Sequence, residues 1–195
     1  MRKFLPTLLI SLVALAAVAL AQDKPASVAP AQNNPFSTFN KRLYERLKNI
    51  LLRSAEKMPE ENYGFRPTDA VRTYGQILGH VADAQYLFCS KALGEKNPDL
   101  KIEQTKTSKA DLIAALKDAF AYCDKAYDGM TDASGAQMVQ LFGSDAPKLG
   151  VLIVNNGHNM EHYGNLVTYM RMKNIVPPSS EQGPPAQQSP QPPKK

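Results

Sequence analysis

The chain of 195 residues is 43% apolar and 21% charged, with a formal net charge of +5, two cysteines and three histidines. That composition excludes a collagen-like or disordered polymer and a disulfide-stapled miniprotein, and it suits one globular domain. Arg2 and Lys3 lie in an N-terminal leader and Lys194 and Lys195 share a tail with Glu181, so the charge left for the rest is too small and scattered to indicate nucleic-acid binding.

Residues 1–21 read as an export signal. Arg2 and Lys3 form a basic start, Leu8 to Leu20 an apolar run, and Ala19-Leu20-Ala21 before Gln22 a small-x-small cleavage pattern. The run is short for a retained anchor, so the expectation is a periplasmic or secreted protein with no stable membrane insertion after cleavage. Residues 22–37, with Pro25, Pro30 and Pro35 among Ala, Gln and Asn, read as a flexible linker. Residues 177–195 hold seven of the fifteen prolines with Gln and Ser and read as a disordered tail. The span between them, 38–176, has the size of a single domain.

Within that span apolar residues recur every three or four positions with no sustained alternation, so the expected class is all-α and strands are not supported. The first helix, about 38–58, places Phe39, Leu43, Leu47, Ile50, Leu51 and Ser54 on one stripe and stops before Pro59. The second opens on Thr73-Tyr74-Gly75-Gln76, a capping-box pattern, and runs to about residue 92 before Gly94. The third follows Ser108 with a stripe of Leu112, Leu116, Ala119, Phe120, Cys123 and Tyr127, and ends near Gly129. The fourth starts near Pro147 and reaches about residue 174, before Pro177. Four amphipathic helices enclosing one core make a four-helix bundle. The connections at 94–107 and 130–146 are long for a simple up-down bundle and leave room for a crossover or a lid; Ser144, after Gly143, reads as turn material.

An oxidising compartment permits a bridge between Cys89 and Cys123, but sequence does not set the Cα separation that a bridge requires. The favoured reading is two small buried hydrophobes. Cys89 stands nine residues, about 180° of helix, from His80, and Cys123 lies on its own apolar stripe.

The histidines carry the chemistry. His158 and His162 stand four apart on the fourth helix, hence on one face, and chance would place some pair at that spacing in only about 3% of arrangements. His80, on the core stripe of the second helix with Ile77, Ala84, Leu87 and Phe88, is positioned to supply a third imidazole. Val151, Val154, Asn155, Asn165, Leu166, Tyr169 and Met172 cluster around the direction of His158, giving an inward face that is apolar at its ends and polar in the middle. Buried polar groups left unsatisfied cost about 1–3 kcal/mol each, so that band demands partners, which a divalent metal with bound water would provide. The bland alternative is a water-bridged network, which gives no reason for the His pair. Glu161, about 60° from His158, is a candidate ligand, orienting partner or base, although a solvated helix face is the preferred reading for it.

Phe65-Arg66-Pro67, then Arg72-Thr73-Tyr74-Gly75-Gln76-Ile77-Leu78-Gly79-His80-Val81, and later Asn156-Gly157-His158-Asn159-Met160-Glu161-His162-Tyr163-Gly164-Asn165, resemble the DinB/YfiT-like superfamily of metalloenzymes over about residues 36–178. The resemblance implies a four-helix bundle with a divalent metal held by His80, His158 and His162. It also implies a homodimer as a common assembly, and relatives that act as thiol-dependent S-transferases or isomerases. The chain departs from it in having Tyr163 where many members carry His or Arg, and in its export leader, since thiol cosubstrates are chiefly cytosolic.

Three imidazoles leave a fourth position at which an ion of zinc type activates water, so the expected function is a metal-dependent hydrolase or transferase acting on a small molecule. Asn155, Asn165, Tyr169 and Glu161 are the candidates for orienting substrate or moving protons. Zinc is the first choice of metal and nickel the second. The alternatives are a non-catalytic metal- or ligand-binding module and an interaction domain with a Pro-rich tail. No nucleophile elbow, phosphate loop or CxxC supports another chemistry.

Overall fold

The computed structural model describes residues 33–181. The leader at 1–21, the linker as far as residue 32 and the tail beyond residue 181 lie outside the described residues.

Four long helices form the body: α1 (Pro35–Lys57), α2 (Tyr74–Leu93), α4 (Lys109–Gly129) and α6 (Lys148–Met172). Two single-turn helices, α3 (Ile102–Thr105) and α5 (Asp132–Gly135), and a two-stranded antiparallel hairpin, β1 (Met138–Leu141) with β2 (Ser144–Pro147), occupy the connections. Helix α2 packs on α4 and α6, and α1 closes the bundle against the same two. Among the described residues no helix is long and apolar enough to cross a membrane.

The local signals explain the helix ends. Thr73 Oγ1 accepts from the Gln76 amide at 3.2 Å while Gln76 Oε1 accepts from the Thr73 amide at 2.8 Å, which completes the capping box. Gly94 closes α2 at a left-handed φ of 77°. Ser108 Oγ accepts from the Asp111 amide at 3.1 Å to start α4. Helix α1 begins at Pro35, inside the expected linker, because Pro supplies helical φ and Asp132 of α5 accepts from the amides of Phe36 and Ser37 at 3.2 and 2.7 Å. That cap comes from a residue far along the chain, which local reading cannot see.

Several expectations are corrected. The buried stripe of α1 is Ser37, Asn40, Tyr44, Leu47, Leu51, Ser54 and Ala55, and Phe39 is 71% exposed. Its N-terminal turns present polar groups inward because Asn156 donates to Asn40 Oδ1 at 2.8 Å. Strands do occur. At four residues each, with Leu141 their one buried member, they are too short for an alternating pattern to register, and Ser144 is the first residue of β2. Cys89 and Cys123 are disulfide-bonded, with Cα atoms 5.3 Å apart, because α2 and α4 pack along this length. The tail does not leave the body at residue 177. Pro177 and Pro178 are buried, the Ser179 amide donates to Tyr163 Oη at 3.0 Å, and Glu181 pairs with Arg53 and Lys57.

The main core gathers Leu51, Leu78, Leu112, Leu116, Phe120, Leu152, Leu166 and Met170. A smaller cluster of Ala84, Phe88, Leu141 and Val151 sits under the hairpin. Helix α2 is buried around most of its circumference, since α3 and the hairpin cover the sides that α4 and α6 leave.

Candidate metal centre

Helix α6 places His158 and His162 one turn apart, and α2 brings His80 against them. Nε2 of His158 lies 3.1 Å from Nε2 of His80 and 3.1 Å from Nε2 of His162. One ligand atom from each of the three falls within 4.8 Å of the others. Two imidazoles bound to one first-row ion at about 2.0–2.1 Å each stand about 3 Å apart, so the spacing fits shared ligation.

Proton placement supports the same reading. Nδ1 of His80 faces Glu103 Oε2 at 3.0 Å, and a carboxylate oxygen accepts, so His80 donates from Nδ1 and turns its Nε2 toward His158. His158 has one Nε2 for two neighbours, while its Nδ1 is buried with no hydrogen-bond partner among the described residues. Burial, reinforced by the charges that His162 and His80 would carry, pushes the His158 imidazolium down to about 3; burial likewise lowers His162. Three imidazole Nε2 atoms this close satisfy one another poorly and a shared cation well.

Glu103 is the residue that sequence reasoning missed. It belongs to α3, in the first long connection, and its second oxygen accepts from Arg72 Nε at 2.8 Å. Asp83, one turn after His80 on α2, fixes α3 by accepting from the amides of Ile102 and Glu103 at 2.9 and 3.0 Å. Close approach requires Gly79, where an added Cβ would meet Glu103 Cα at 2.7 Å and its N at 2.9 Å. A glycine directly before His80 was the available signal, but it names no partner, because Glu103 lies 23 residues away.

The remaining candidates divide. Glu161 and Asn165 are exposed and line a cavity of about 710 Å³ with His162, Arg72 and Tyr169. The Asn165 amide stands 3.5 Å from His162 Nδ1. Tyr169 is 6% exposed and donates to the Arg72 carbonyl at 2.9 Å. Burial raises its hydroxyl pKa, so it keeps that proton. Val154 and Met172, expected inside, face solvent. Asn155 is fully buried away from the His cluster, donating to Gln85 Oε1 at 3.0 Å and to Tyr127 Oη at 3.2 Å. Gln85 in turn donates to Asn159 Oδ1 at 2.7 Å. Polar groups in the bundle interior thus satisfy the Asn155 amide NH2, and no residue of the His cluster bonds to it. On the other side of the cluster, His80 and His158 open onto a second cavity of about 410 Å³ with Ala84, Leu87, Phe88 and Phe142.

The family model of the DinB superfamily matches residues 43–166. Among solved structures the chain is similar to a DinB-like protein from Bacillus cereus, at 15% identity and a TM-score of 0.62, covering 71% of this chain and 93% of that one. A DinB-like protein from Bacillus subtilis is similar at 19% identity and a TM-score of 0.58, again over 71% and 93%. A mycothiol-dependent maleylpyruvate isomerase shares the fold at 14% identity and a TM-score of 0.55, over 69% of this chain and 65% of its own. No curated protein matches the chain.

Proposed function

The chain belongs to the DinB superfamily, and from that premise we propose that it is an exported, divalent-metal-dependent hydrolase or transferase of small molecules, with His80, His158 and His162 as the ligands. The observation that carries the reading is the convergence of three imidazoles, with Nε2 of His158 3.1 Å from Nε2 of both His80 and His162, beside two solvent-reaching cavities. A non-catalytic metal module needs no such access. A divalent ion held there supplies Lewis acidity to a substrate oxygen or to water.

The chain's own residues define the rest of the chemistry. Glu103 accepts from Nδ1 of His80 and so orients the ring with its Nε2 toward the cluster. Arg72, tied at Nε to the same carboxylate, is the cationic member of the larger cavity's lining and suits an electron-rich part of a substrate. Tyr169 has its proton committed to the Arg72 carbonyl and acts as a wall. Glu161, exposed and lining the larger cavity, is proposed to take or return a proton. Zinc is proposed first and nickel second, since imidazole suits both. Export is supported by the leader's pattern and by the Cys89–Cys123 bridge, which persists in oxidising compartments.

The test is elemental analysis of the tag-free chain beside a His158→Ala, His162→Ala variant. About one divalent ion per native chain and none in the variant is expected. A folded native chain that takes up neither zinc nor nickel would end the proposal.

A further inference from the structure

The second cavity differs in kind from the first. Its rim is polar but already engaged: both Asp83 oxygens hold α3, and Asp99 pairs with Lys101 at 2.9 Å. Its floor is Ala84, Leu87 and Phe88, and Phe142 at the hairpin tip forms one wall. The aromatic rings run edge to face toward the cluster, Phe142 to Phe88 at 6.0 Å and Phe88 to His158 at 5.7 Å.

Phe142 is an unfavourable residue for its place. It opens a two-residue hairpin turn at φ 51°, ahead of Gly143 at φ 81°. That turn favours Asn or Asp before Gly, and a bulky side chain with positive φ is strained. It also leaves the ring 75% exposed to water. Neither feature benefits the fold, and strain of this sort collects where a ligand is gripped.

We infer that Phe142 and Phe88 form an apolar subsite that takes an aromatic group of the small molecule bound at His80, His158 and His162. The proposal rests on the metal reading of that cluster. A substrate would lie across the centre with its polar part toward Arg72 and Glu161 and its ring in the cavity against Phe142 and Phe88. The edge-to-face contacts that Phe88 already makes with Phe142 and His158 are of the kind a further ring would join.

Calorimetric titration of the zinc-loaded full chain with benzohydroxamate and acetohydroxamate, which share a metal-chelating head and differ in phenyl against methyl, separates the two ideas. Native protein binds benzohydroxamate more tightly. Phe142→Asn, whose side chain tolerates the left-handed turn, weakens benzohydroxamate by about 3- to 10-fold and leaves acetohydroxamate unchanged. Phe142→Leu falls between. A melting curve for each variant reports whether the hairpin stays in place. If Phe142→Asn weakens both probes equally, or neither, the subsite is refuted while the metal site stands. If zinc-loaded native protein binds neither probe, the subsite is refuted while the metal site stands; if folded native protein takes up no zinc, the metal reading falls and the subsite with it.

Discussion

Gly79→Ala sets two known effects against each other at the residue that lets α3 reach His80. Replacing a helix-interior glycine by alanine gains about 1 kcal/mol in helix propensity. Here, however, the new Cβ would lie 2.7 Å from Glu103 Cα, against about 3.5–4.0 Å for unstrained carbon contacts, so α3 must retreat by at least about 0.8 Å. Such a shift takes the 3.0 Å Glu103–His80 bond to about 3.8 Å, beyond hydrogen-bond range. Overpacking costs about 1–3 kcal/mol, which cancels or exceeds the propensity gain. Losing the carboxylate that orients a ligating imidazole lowers metal affinity by about 10- to 100-fold. Competition for zinc against a chromogenic chelator, with urea unfolding of the metal-free protein in parallel, measures both. Glu103→Gln is the companion, keeping α3 docked while removing the charge, with an affinity loss near the lower end of that range. A Gly79→Ala protein more stable by about 1 kcal/mol and binding zinc as tightly as native would refute the packing of α3 on α2 and the role given to Glu103.

The metal-free domain should lose stability as pH falls from about 6.5 toward 3. His158 is held neutral in the fold down to about 3 but titrates near 6.5 when unfolded, so the unfolded state binds the extra proton, at up to about 1.4 kcal/mol per pH unit. Urea midpoints of apo protein at pH 7.5 and 5 check this, and equal values would contradict it. Removing the disulfide, as Cys89→Ser with Cys123→Ser, frees a loop spanning 34 residues and should reduce stability by about 3–4 kcal/mol, read as a lowered Tm that reductant reproduces in the native chain. Asn155→Ala should destabilise by about 2–3 kcal/mol by leaving Gln85 and Tyr127 short of a partner. Zinc affinity should stay native in that variant, and a tenfold fall would return Asn155 to the metal centre.

The four helices, the Thr73 capping box, the Ser108 cap and the pairing of His158 with His162 were legible in the sequence. Each depends on residues within one or two turns of each other, where a period of 3.6 dictates which side chains share a face. The same reasoning overreached on α6. Val154 and Met172 lie at angles close to His158, yet among the described residues no helix covers them, and a helical wheel gives direction without saying what stands opposite. Asn155 was correctly placed inward but assigned the wrong company, because Gln85 and Tyr127 approach it from α2 and α4.

The four long helices, the starts of α2 and α4 and a same-face histidine pair were thus determined by the sequence alone, through local hydrogen bonding and periodicity. Tertiary structure alone decided that Glu103 fixes the proton of His80, that Cys89 meets Cys123 across two helices, and that Phe142 stands over the apolar cavity. Those contacts join residues far apart in the chain, and two of them come from irregular connections. Where such segments settle depends on the packed surface of the whole bundle, not on any repeat in the segments themselves.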